Sequence, residues 1–169
     1  GVARIREDHS LEPGAHRSAV QRIARECAQV AQRRADARQR LPVAAQQGMW
    51  DTLDKAVRGL QNMNMRMRYF PKPVVVAPAG LALGGGCEIT MHASRVVAAS
   101  ETYIGLVELG AGVIPAGGGT KETMRRIINP AMKTDMAEAF PFIQRAFLQI
   151  GQAKVATSAA EARSMAILT

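Results

Sequence analysis

Residues 73–120, PVVVAPAGLALGGGCEITMHASRVVAASETYIGLVELGAGVIPAGGGT, decide how this chain is read. The stretch opens on the β-branched run Val74, Val75 and Val76, the pattern of a short strand buried on both faces. Gly84, Gly85 and Gly86 then make a turn that feeds a helix over residues 87–92. Strands are expected over residues 95–99 and 103–106, split by a polar turn at Ser100 and Glu101, and Gly117, Gly118 and Gly119 close the stretch. Glu88 and Glu108 lie among small and apolar residues, where burying an unpaired carboxylate is expensive. That combination marks the stretch as the active-site half of an enzyme.

The chemistry follows from the residue types. The first turn of a helix leaves backbone N–H groups without partners and carries partial positive charge. A glycine there lets a substrate oxygen approach, so the N–H of Gly85 can stabilise an oxygen that becomes anionic in a transition state. Glu88 falls in the same turn. Glu108, if buried, would have its pKa raised by desolvation, which suits a proton donor, and two carboxylates in different environments make an acid/base pair. The alternative stays open that Glu88 only caps a helix and that Glu108 pairs with Arg95 or Lys121. His92 lies one helical turn after Glu88 and reads as a packed, hydrogen-bonded histidine rather than a base. Neither GGGTKE nor LGAGVIP has the spacing of a phosphate or dinucleotide loop, since Pro115 falls where the last glycine should be. Cys87 and Ser94 have no His–Asp arrangement for nucleophilic hydrolysis.

Working outward, a helix is expected from Met49, with Asp51 capping its first turn and Trp50, Leu53, Val57, Leu60, Asn64 and Met67 on one face. Met63, Met65 and Met67 read as core packing rather than a metal-binding stripe. Tyr69, Phe70 and Pro71 end that helix. Downstream, helices are expected over residues 120–128, with Pro130 as the break, over 134–150, and over 159–167, the last with Ser158 as N-cap and Glu161 in capping-box position. The order predicts an α/β core whose sheet is finished early, followed by a helical C-terminal part.

At 169 residues and 47% hydrophobic content the chain can bury one real core. The net charge of +8 raises nucleic acid as a partner, but much of the arginine sits before Leu41, so a biased terminal segment explains it better. The Ala-, Arg- and Gln-rich run over residues 19–40 is expected to be a weakly docked helix, with a polyanion-binding arm as the functional alternative. Cys27 and Cys87 give neither a disulfide framework nor a metal spacing, and they suit a reducing cytoplasm. No membrane span and no basic-then-apolar leader are expected.

The segments KPVVVAPAGLALGGGCEITMHASRVVAA and YIGLVELGAGVIPAGGGT resemble the crotonase, or enoyl-CoA hydratase/isomerase, superfamily. Within it they look most like the hydratase portion of bacterial 3-hydroxyacyl-CoA dehydrogenase/enoyl-CoA hydratase proteins. The resemblance rests on the glycine triplet, Cys87-Glu88, the twenty-residue step to Glu108, and Ile114-Pro115 before the second glycine cluster. It implies a crotonase-like (ClpP/crotonase) α/β core over residues 42–169, incomplete at its N-terminal side. Residues 1–41 are then an Arg/Ala-rich segment foreign to that fold. The family's upstream motif, of the type G-A-D/N-L/I, is replaced by Ala37, Arg38, Gln39 and Arg40. By resemblance Glu88 and Glu108 are the catalytic carboxylates, Gly85 supplies an oxyanion-hole N–H, and Gly84, Gly86 and Pro115 contact substrate. The implied reaction is hydration of trans-2-enoyl-CoA in fatty-acid β-oxidation, in the cytoplasm. The coenzyme A thioester is the substrate, no cofactor or metal is needed, and the partners are a homo-oligomer or a multifunctional complex. The alternative from another class is a non-catalytic remnant of the fold, or an interaction module with a basic arm.

Overall fold

The computed structural model describes residues 43–169. The basic helix expected over residues 19–40, Cys27 and the stretch from Ala37 to Arg40 lie outside the described residues.

Helix α1 (Trp50–Arg68) buries Met63, Asn64 and Met67, with Leu53, Val57 and Leu60 half-buried on the same side. The expected stripe is present, except that Trp50 is exposed. Asp51 does not cap this helix. Met49 holds the N-cap position with no side-chain hydrogen bond, so the Asp51 carboxylate, already inside the first turn, can act only on the helix dipole. Met63 and Met67 are core, whereas Met65 faces outward and its sulfur lies 3.4 Å from Lys121 Nζ.

Strand β1 (Val75–Val76) is followed by β2 (Leu81–Leu83), helix α2 (Gly85–His92), β3 (Arg95–Val96) and β4 (Tyr103–Gly105). Two parallel pairings hold them, β1 with β3 and β2 with β4. Strand β2 was not expected, because Leu-Ala-Leu lacks β-branched residues and adjoins glycine; its pairing partner makes it a strand. The expectation of a sheet finished early is corrected by β5 (Val155–Ala156), which adds antiparallel to β4 in the register Ile104↔Ala156. Its two residues carry little intrinsic signal, and burial of Ala156 against the core makes the strand.

Helix α3 (Gly119–Ala131) carries Pro130 in its last turn rather than ending before it. Helix α4 (Phe140–Gly151) begins later than expected, because residues 134–139 form turns and Pro141 occupies the first helical turn, where a missing N–H costs nothing. Helix α5 (Ala159–Ser164) is shorter than expected but has the expected cap, with Ser158 Oγ accepting from the Glu161 N–H at 3.1 Å. The Glu161 side chain reaches past Ser158 to accept from the Thr157 N–H at 2.8 Å.

Two apolar clusters sit on either side of α2. Cys87 and Met91 pack with Ala82, Ile104, Ala156, Ala162 and Ile167 in one, while Ile89 packs with Met63, Met67, Val74 and Val76 in the other. The helix that carries Glu88 is therefore clamped from both sides, each large buried side chain contributing on the order of 2 kcal/mol. Among the described residues no helix is long and apolar enough to cross a membrane.

Candidate active site

Strands β2 and β4 run parallel with Leu83 opposite Gly105, so the chain leaves both at the same edge. In sheets of this kind the carboxyl ends of the strands are where ligands bind. Gly84 follows β2, donates its N–H to Gly105 O at 2.8 Å and takes φ 56°, a conformation that a side chain would strain. Glu108 follows β4 and opens a 3-10 turn, Glu108–Ala111. Its carboxylate lies against Gly84, close enough that a Cβ on Gly84 would stand 3.0 Å from Glu108 Oε1. Glu108 is half-buried, and its Oε2 is closed to solvent.

Gly85 is the first residue of α2, where the geometry of a helix start leaves an N–H without an intrahelical acceptor. Glu88 lies in the same first turn, donates its own N–H to Gly84 O at 3.0 Å, and is only 2% exposed. The structure thus sets Glu108 against the Gly84–Gly85 turn that starts the helix of Glu88. Gly86 and Pro115 are buried.

The Glu88 side chain crosses to the second glycine cluster, where Oε1 accepts from the Gly119 N–H at 2.9 Å. Glu88 does therefore cap a helix, but α3 rather than its own, and its charge meets the positive end of α3. Gly117 lies so close that a Cβ there would run into the Glu88 carboxylate and Leu60. Helix α1 fixes this loop: Asn64 Nδ2 donates to Gly117 O at 2.8 Å and Gln61 Nε2 to Ala116 O at 2.7 Å. Thr120 Oγ1 adds a bond to Pro115 O at 3.1 Å. Sequence reasoning gave the second cluster no role. Its usable signal was three glycines directly before a helix, the mark of a close approach to something bulky.

A further carboxylate went unnoticed in the sequence. Glu122, on α3, is 1% exposed and bonds Arg68, with Arg125 Nη2 at 2.9 Å and Lys121 Nζ at 3.1 Å. Burial pushes its pKa up, but the hydrogen bonds from Arg125, Arg68 and Lys121 outweigh that and leave it at about 2. Lys121, offered above as a partner for Glu108, is thus engaged by Glu122. His92 is buried as expected, with Nδ1 2.7 Å from Glu88 O and Nε2 3.3 Å from Lys121 Nζ. Burial is the main cause that lowers its pKa. Among the described residues no group of three His, Cys, Asp or Glu side chains could hold a metal ion.

One carboxylate against the glycine turn at the strand ends and a second on the helix that the turn starts, on this arrangement of strands and helices, define a crotonase-type core. The described residues form part of that fold. An enoyl-CoA hydratase from Bacillus anthracis superposes with a TM-score of 0.55 at 26% identity, over 70% of this chain and 40% of that one. The sequence profile of the enoyl-CoA hydratase/isomerase family matches residues 37–140, and the chain belongs to that family. A probable 3-hydroxyacyl-CoA dehydrogenase from Bacillus subtilis is 46% identical over 123 residues, covering 69% of this chain but 14% of that protein. A probable enoyl-CoA hydratase from the same organism is 43% identical over 72 residues, covering 43% of this chain and 28% of its own length. The chain therefore spans a minor part of the relatives it matches.

Proposed function

We propose that this chain carries the carboxylate half of an enoyl-CoA hydratase site, which adds water to trans-2-enoyl-CoA to give 3-hydroxyacyl-CoA in fatty-acid β-oxidation. The observation that supports it most is the Glu108 carboxylate lying against Gly84, at the root of the turn that starts the helix of Glu88. In this reading Glu88 accepts a proton from water as its oxygen bonds to the β-carbon. The π electrons move to the thioester oxygen, which the Gly85 N–H holds as it becomes enolate-like. Glu108 then delivers a proton to the α-carbon, and both carboxyl groups return to their starting states by exchange with solvent. Gly84, Gly86 and Pro115 border the thioester. Addition of water changes no oxidation state overall, so the reaction calls for no redox cofactor.

We propose that the chain works in the cytoplasm as a homo-oligomer or within a multifunctional assembly; a relative named as a putative fatty acid oxidation complex trifunctional enzyme, 37% identical over 79 residues, supports the assembly. Sizing the purified chain by light scattering tests that part, and a monodisperse monomer would contradict the homo-oligomer. The activity itself is tested with trans-2-butenoyl-CoA: the account expects 3-hydroxybutanoyl-CoA to form. Failure of a folded chain to form it would remove the proposal.

A further inference from the structure

The imidazole of His92 touches both ends of Glu88's support. Nδ1 is 2.7 Å from the backbone oxygen of Glu88, which only accepts hydrogen bonds, so Nδ1 carries the proton. Nε2 is then the acceptor, and it faces the Lys121 ammonium, which only donates, at 3.3 Å. The ring also lies against Gly118, the N-cap of α3: a Cβ there would stand 2.7 Å from His92 Cε1 and 2.9 Å from Nε2. Gly118 directly precedes the Gly119 N–H that holds the Glu88 carboxylate. The ring is 1% exposed.

We infer that His92 is a positioning residue for Glu88, an Nδ1–H imidazole that spaces the Glu88 backbone from the N-terminus of α3 and so sets the Glu88–Gly119 bond. The catalytic part of this inference rests on the reading of Glu88 as a catalytic carboxylate. The charges around the ring act both ways, and burial is the larger influence that keeps it neutral. Glu122 Oε1 at 3.8 Å favours a charged ring, while Lys121 on α3 at Nε2 and Arg68 of α1 oppose it. A second proton would put an imidazolium next to that ammonium. Burial acts in the same direction.

Two variants separate positioning from bulk packing. His92→Asn keeps an N–H where Nδ1 stands, while His92→Leu keeps volume and loses both nitrogens. On the full chain, the amide resonance of Gly119 reads its bond to Glu88, and the imidazole nitrogen resonances read the tautomer. The inference expects Nδ1–H at neutral pH, a Gly119 resonance displaced by Leu and held by Asn, and kcat for butenoyl-CoA hydration lowered roughly tenfold or more by Leu with KM little changed. Asn should restore most of that loss. An Nε2–H or charged ring, a Gly119 resonance unmoved by Leu, or equal losses in both variants would overturn it. The wild-type tautomer and the Asn variant decide the matter even where the Leu variant fails to fold. If the wild-type chain hydrates nothing, the hydratase reading falls while the resonances still judge the positioning role.

Discussion

Glu88 and Glu122 are both almost fully buried, both lie in the first turn of a helix, and each is seated at α3 by a different bond. Glu122 is bonded by the side chains of Arg68, Lys121 and Arg125, with Arg126 Nε at 3.6 Å. Glu88 receives the neutral backbone N–H of Gly119, in a pocket that glycines keep open. The first arrangement fixes charge and ties α1 to α3; a carboxylate held at about 2 does not exchange protons near neutrality. The second seats one carboxylate oxygen on a backbone amide at the start of α3, at the meeting of two glycine-rich turns. Burial alone does not give the two carboxylates their roles; on the proposed reading Glu88 is catalytic and Glu122 structural.

The sharpest way to break that comparison is to neutralise each in turn. Glu88→Gln keeps an oxygen for the Gly119 N–H, so hydration should fall by about 10²–10⁴-fold while the urea midpoint stays nearly unchanged. A large stability loss with activity retained would make Glu88 the structural residue. Glu122→Gln should do the reverse, costing about 3 kcal/mol in urea unfolding because it leaves the guanidinium groups of Arg68, Arg125 and Arg126 uncompensated. An unchanged midpoint would show that the cluster is solvated.

The same contrast has a pH signature. The folded pKa of Glu122, about 2, lies below its ordinary 4.5, so the stabilisation is complete above pH 4.5 and is lost as pH falls toward 2. The loss amounts to about 3 kcal/mol in acid unfolding, and it should be absent in Glu122→Gln. Gly117→Ala sharpens the Glu88 side. A methyl group driven into the carboxylate and Leu60 should cost about 1–3 kcal/mol and lower activity with it. Ser158→Ala, remote from both carboxylates, gives the smallest effect, about 1 kcal/mol of stability with activity intact.

These residues also show how far the sequence could be read. Ser158 and Glu161 were legible because a cap is local, three residues apart on one turn. Glu88 and Glu108 stood out because each is a carboxylate in small and apolar company; the structure sets Glu108 against Gly84 and Glu88 on the helix that follows, with its carboxylate at Gly119. Glu122 was not legible: its cations come from α1 and α3, and the sequence GGGTKETMRR shows only mixed charge. The seat that Gly119 gives Glu88 joins residues 31 apart, with no periodicity to announce it. Strands β2 and β5, of three and two residues, exist through their pairing with β4 and left no pattern of their own.

The central claim is that Glu88 and Glu108 serve one reaction, and kcat/KM for trans-2-butenoyl-CoA hydration by Glu88→Gln, Glu108→Gln and the double variant tests it most directly. Groups that act as a unit fail together, so the double variant should lose about as much as the worse single one. Losses that multiply, or a single variant that keeps full activity, would contradict the account.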